Sequence, residues 1–192
     1  MPALTRFVSR YPDVQIDLKL RDHPSDFVSE GIDVAVRLGP LADSALIARH
    51  LGRTRMRICG APGYLRRKGR PRTVRDLARH ELLGFSMKGR VVPWRVRDGT
   101  EVRELSPGRR IVVESGDALV DLAVNDTGLA WLCDFMMAGP ARAGQLVEIL
   151  AGSACEERPI HVLSAPGRHV LPKVRAFVDL IATELAENGV SR

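Results

Sequence analysis

Short apolar runs alternate with amphipathic stretches of helical period along all 192 residues. That alternation limits the fold more than any other feature, because strands separated by helices favour parallel pairing. Residues 14–20 (VQIDLKL) are the clearest strand, with Val14, Ile16, Leu18 and Leu20 on one face and Gln15, Asp17 and Lys19 on the other. Residues 32–39 (IDVAVRLG) form a nearly continuous apolar run, as a strand covered on both faces requires. Further strands are predicted at 45–51, 56–62, 81–86, 110–115, 129–134, 146–150 and 159–165, with a small-residue segment between the 129–134 and 146–150 runs. Helices are predicted at 3–10, ended by Tyr11-Pro12, and at 24–30, stopped by Gly31. Thr73 with Asp76 opens another at 74–80, Ser115 caps one at 117–126, and Pro172 opens the strongest at 172–187. Residues 87–109 are polar and read as a hairpin around Trp94 and Val102. The fold class expected is α/β with mainly parallel sheets.

Three cysteines, Cys59, Cys133 and Cys155, have no CxxC spacing, which excludes a disulfide framework and a cysteine-based zinc site. No apolar run approaches the ~20 residues of a membrane span, and the first residues lack the pattern of a secretory signal. A cytoplasmic chain without membrane contact is expected.

Charge is uneven. Residues 1–48 sum to −2, residues 49–110 to +13 and residues 111–192 to −5, for a net +6. Of the 29 basic residues, 25 are arginine. The stretch 49–75 holds ten Lys/Arg and no acid, a footprint for anions or a DNA backbone, or else an arginine-rich solvated surface. Its single tyrosine, Tyr64, gives no series of aromatic residues interleaved with the cations to stack bases.

Catalytic handles are missing from the pattern. Five scattered histidines make no metal-ligand spacing, so no metal is expected. Gly84 to Gly89 brushes against the hydrolase elbow around Ser86 but has one residue too many and leads into a polar loop. No phosphate-cradling glycine motif occurs, so neither an enzyme nor a cofactor is expected. Strand ends and helix starts remain as candidates: Arg37-Leu38-Gly39, Ala61, Phe85-Ser86 and Ser115-Gly116-Asp117. The helix start after Ser115 suits a carboxylate, although Asp117 weakens that attraction. Ser115 serves as a cap alone or as a cap that also touches a ligand. Arg37 either pairs with Asp33 or Asp43 or grips a ligand carboxylate. Asp134, Trp131 and Cys59 are weaker candidates, Trp131 reading as core.

The strings RYPDVQIDLKLRD, FVSEGIDVAVRLGPLADSALIARHLG, CGAPGYLRRKGRP, DLARHELLGF and PIHVLSAPGRHVLPKVRAFVDLI occur in that order. Together they resemble the effector-binding domain of LysR-type transcriptional regulators over nearly the whole chain. The resemblance implies two Rossmann-like lobes joined by two crossover strands, like a type 2 periplasmic binding protein, with a small-molecule effector in the cleft. Lobe I would be residues 1–56 and 161–192, and lobe II residues 57–160. The cleft would take Arg37, Leu38 and Gly39 on one wall and Phe85, Ser86, Ser115, Gly116 and Asp117 on the other, with Ala61 near a crossover. Dimers or tetramers would form through residues 3–10 and 14–20 against residues 117–126 of a partner, placing Leu4, Phe7, Val8, Gln15, Asp17, Leu119 and Leu122 in the interface.

Two departures accompany the resemblance. The family's winged helix-turn-helix is not in this sequence, so DNA contact is expected only through that missing part. The first strand of lobe I is missing too, which predicts a chain cut short, with lobe I perturbed or completed by another segment. A solute-binding transport protein of the same fold is the alternative reading.

Overall fold

The computed structural model describes residues 2–20, 27, 29–41, 44–188 and 190–191. In chain order the elements are α1 (Pro2–Arg10), β1 (Ala35–Leu38), β2 (Ile47–Gly60), α2 (Pro62–Lys68), a 3-10 helix (Val74–Arg79), β3 (Gly84–Met87), β4 (Arg90–Val91), β5 (Trp94–Asp98) and β6 (Glu101–Leu105). There follow β7 (Val112–Val113), α3 (Gly116–Val124), β8 (Leu129–Cys133), α4 (Asp134–Arg142), β9 (Val147–Glu148), β10 (Glu157–Ser164), a 3-10 turn (Arg168–Val170) and α5 (Pro172–Glu187). The chain divides into two units, one of residues 1–53 and 158–192, the other of residues 54–157. Both divisions fall three residues ahead of the predicted lobe boundaries. The chain passes between units inside β2 and again at the start of β10.

In the first unit, β1 pairs antiparallel with β10, Arg37 opposite His161, and the Gly39 N–H donates to Pro159 O at 2.9 Å. The apolar face of α1 lies on α5. Phe7 meets Phe177 edge-on with ring centroids 5.4 Å apart, and Arg6 reaches Glu184 and Glu187 from the polar side.

The second unit has two apolar clusters on the faces of β8. One gathers Ile58, Tyr64, Leu77, Trp94, Val96, Leu129 and Trp131; the other gathers Cys59, Ala61, Leu83, Leu119, Ala123 and Leu132. β8 is buried at every residue, as its unbroken apolar run requires. The predicted hairpin is β5 paired with β6, turning at Gly99, whose φ of +66° suits glycine.

Several expectations are corrected. Residues 14–20 form no strand and make no ladder among the described residues, and Ile16, Leu18 and Leu20 stand 39%, 47% and 67% exposed. Alternation creates a two-faced ribbon, but a strand also needs a neighbour for its backbone groups. The predicted helix at 24–30 lies partly outside the described residues, and those described within it form a turn. The predicted strands 45–51 and 56–62 are one strand, β2. The segment predicted only as small residues is the helix α4. In place of mainly parallel pairing, β3 pairs parallel with β7 and a parallel bridge joins Leu82 and Leu129, whereas β1 with β10, β2 with β8 and β9, β3 with β4 and β5 with β6 are antiparallel, as hairpins and reversing strands require.

Candidate functional site

Parallel pairing of β3 with β7 sets Gly84 opposite Val112 and Phe85 opposite Val113, so the next residues of both strands emerge at the same end. There the Ser86 hydroxyl donates to Glu114 Oε1 at 3.2 Å. The chain then turns into α3. Ser115 is extended at φ −110° and ψ 128°, and its hydroxyl accepts the Ala118 N–H at 3.4 Å while its carbonyl takes the Leu119 N–H at 3.1 Å. Among the described residues, no protein acceptor meets the N–H groups of Gly116 and Asp117. Leu119, 3% exposed, anchors the helix in the core, and a β-carbon on Gly116 would come within 2.7 Å of Met136 Cε. The result is a fixed helix start beside two serine hydroxyls, with the carboxylates of Glu114 and Asp117 at its margins.

Phe85 is half-buried against the same apolar cluster that contains Ala61. Ala61 is 2% exposed and precedes α2, so its methyl faces the core and a ligand would meet only its backbone. Five of the predicted residues, Phe85, Ser86, Ser115, Gly116 and Asp117, thus come together in one unit.

Arg37, Leu38 and Gly39 lie in the other unit, at the end of β1. Gly39 has φ +92°, a conformation that permits the turn only without a β-carbon. Leu38 is 45% exposed and Arg37 is partly buried. Of the two acids considered for Arg37, Asp33 is held by Lys173 and Arg168, and the Lys173 hydrogen bond chiefly keeps its carboxyl below the usual carboxylate range. Asp43 lies outside the described residues.

Two predicted interface residues belong to the chain's own core. Phe7 is 2% exposed beneath α5, and Leu119 is equally occupied. Their apolar helical spacing marks a buried face without saying which neighbour covers it. Val8, Gln15 and Asp17 are exposed, whereas Leu4 and Leu122 are half-buried.

The weaker candidates are structural. Asp134 accepts the Arg57 guanidinium at 2.5 Å and the Arg55 N–H at 3.0 Å, Trp131 is core, and burial pushes the Cys59 thiol up to about 12. Ser86 donates to a carboxylate, so the near-miss of a hydrolase elbow has no counterpart in its surroundings. Among the described residues no three metal-ligating side chains gather. A cavity of about 290 Å³ beside Val74, Ala78 and Leu105 and one of about 280 Å³ beside Arg49, His169 and Arg175 include none of the predicted residues. Sequence reasoning missed Glu114 and Met136; the acid's place directly before the cap was the available signal.

Residues 1–186 match the LysR substrate binding domain family. The chain is 31% identical over 189 residues to the HTH-type transcriptional regulator CrgA of Neisseria meningitidis, covering 97% of this chain and 62% of that protein. An HTH-type transcriptional regulator of Xanthomonas campestris is 34% identical over 188 residues, covering 96% of this chain and 55% of that protein. The chain therefore spans less than two thirds of these relatives. The solved CrgA regulatory domain superposes with a TM-score of 0.81 at 28% identity, covering 98% of this chain and 91% of that one. Its two-unit α/β architecture is that of LysR regulatory domains, which share the periplasmic-binding-protein fold. With the match running from residue 1 to 186, the chain belongs to the LysR substrate-binding domain family.

Proposed function

We propose that this domain senses a small organic acid, and that the start of α3 with Ser86 and Ser115 receives it. The observation that carries this reading is the pair of unaccepted N–H groups on Gly116 and Asp117 beside a rigid cap, since such groups and the helix dipole favour an anion. Glu114 opposes it: an incoming carboxylate must compete with Glu114 for the Ser86 hydroxyl. The ligand class this favours is a compact monocarboxylate with an apolar or aromatic body, which Phe85 and Met136 would contact. The turn at Arg37–Gly39 is a second, separate candidate anchor.

The relatives named as transcription regulators support a role in gene regulation and do not favour transport. In a longer protein carrying a helix-turn-helix, ligand binding would shift the populations of two arrangements by its difference in affinity for them. Such a protein works where its DNA lies, in the cytoplasm; no helix among the described residues is long and apolar enough to cross a membrane. For self-association, the exposed Val8, Gln15 and Asp17 remain the contacts to test, in a homodimer or a homotetramer.

A thermal-shift screen of benzoates, phenolic acids and short aliphatic acids tests the reading. At a hundredfold excess over Kd a ligand adds about 2.7 kcal/mol, raising Tm by roughly 5–10 °C in a domain this size. Ser115→Ala and Glu114→Gln should respectively weaken and strengthen a genuine hit. Hits that ignore both substitutions but vanish in Arg37→Ala would move the site to β1.

A further inference from the structure

Residues 66–79 hold seven cations and one acid, a net +6 that equals the charge of the entire chain. All seven are exposed: Arg66, Arg67 and Lys68 on the last turn of α2, Arg70 and Arg72 in the following loop, and Arg75 and Arg79 on the 3-10 helix. We propose that this cationic band is a DNA-backbone contact surface on the regulatory domain itself, separate from any helix-turn-helix.

Three observations carry it. First, the band is held in place without being neutralised. Arg67 Nη2 donates to Asp126 O at 2.7 Å and Arg70 Nη2 to Glu148 O at 3.0 Å, both backbone carbonyls that orient a guanidinium and leave its charge intact. Second, nearby carboxylates are engaged elsewhere. Asp76 caps its own turn by accepting the Arg72 and Thr73 N–H groups at 3.0 and 2.8 Å; Asp126 accepts the Tyr64 N–H at 2.7 Å, and Glu148 pairs with Arg57. Third, the surface is dominated by charge. Tyr64, Leu65 and Leu77 are turned into the core, and the apolar atoms left at its edge are those of Ala78 and Val74 in the small cavity with Leu105, too few to enter a membrane or to centre a protein interface. No exposed aromatic ring is present for stacking unpaired bases. What remains suits phosphates on a duplex, which guanidinium forks bind bidentately. The choice of DNA among polyanions rests on the family's regulators; the charge arrangement does not depend on the effector site.

The test is fluorescence anisotropy of this chain with a labelled 20-base-pair duplex of arbitrary sequence, titrated at several salt concentrations. Binding is expected in the range of about 1–100 μM, with log K falling against log salt at a slope of about −4, corresponding to four or five phosphates at roughly 0.9 each. The triple variant Arg66→Gln, Arg72→Gln, Arg75→Gln should weaken binding at least tenfold at low salt and cut the slope by about 2–3. These side chains are exposed, so its Tm should match the wild type. Arg90→Gln, Arg97→Gln, Arg109→Gln, which removes the same charge from other exposed positions, should stay within twofold. No duplex binding, equal losses in the two triple variants, equal binding of polyglutamate, or capture by anionic vesicles in place of DNA would each overturn the proposal. None of these results bears on organic-acid binding at α3, which is read separately by thermal shift.

Discussion

Replacing Gly63 with alanine should destabilise the domain, and removing Asp126 should reverse that sign. Gly63 sits in the first turn of α2, where alanine normally gains about 0.5–1 kcal/mol over glycine. Here an added β-carbon would stand 2.1 Å from Asp126 Oδ2 and 2.6 Å from its carboxyl carbon. The carboxylate must move, and the 2.7 Å bond it accepts from the Tyr64 N–H is lost. A charge-assisted bond of this kind is worth about 1.5–3 kcal/mol, so Gly63→Ala should cost about 1–2 kcal/mol net, a fall in Tm of roughly 2–8 °C. In an Asp126→Gly background the obstruction is gone, and Asp126 itself occupies φ +58°, which glycine adopts freely. There Gly63→Ala should stabilise by about 0.5–1 kcal/mol. A double-mutant cycle by thermal and urea unfolding measures the coupling, expected at about 1.5–3 kcal/mol. Equal effects of Gly63→Ala in both backgrounds would refute the argument that Asp126's approach requires this glycine.

Further outcomes follow from the same geometry. Ser115→Ala should cost about 1 kcal/mol by urea unfolding, the usual worth of an N-cap, with the secondary structure seen by circular dichroism unchanged. Iodoacetamide at pH 8 should label Cys155 and spare Cys59 in the folded chain, read by peptide mass spectrometry. Because burial raises the Cys59 thiol to about 12, the unfolded chain releases its proton first. Stability from this group is therefore complete below about pH 9 and declines as pH rises toward 12, a decline Cys59→Ala should remove. Burial holds His80, beside Tyr64 Oη, below the ordinary imidazole value, so the unfolded state takes up its proton first and stability falls as pH drops below about 6.5. Unfolding of His80→Gln across that window should show a shallower acid limb.

Where a local signal determines the outcome, the sequence was readable. Ser115, Thr73 with Asp76 and Pro172 are punctuation whose chemistry acts within a few residues, and all stand at the helix starts expected of them. The run LAWLC is buried throughout, as its unbroken apolarity requires. Outcomes that depend on a partner were not readable. VQIDLKL has ideal alternation, yet no neighbour among the described residues pairs with it. Phe7 and Leu119 are apolar in either reading, and only the fold reveals α5 and the β8 core as their cover. The helix α4 was hidden because Gly139 and Pro140 are poor helix formers; its Met137 is held by tertiary burial instead. At the site, the serines and the helix start were legible residue by residue. Glu114's hold on Ser86 was not, because it depends on the parallel register of β3 and β7.

The most direct test of organic-acid sensing is a two-dimensional amide NMR titration of the isotopically labelled domain with the best acid from the thermal screen. Saturable shifts of the Gly116 and Asp117 amides, moving downfield as their N–H groups gain an acceptor and lost in Ser115→Ala, are the predicted result. Saturable shifts confined to other residues, with Gly116 and Asp117 unmoved, would contradict the account.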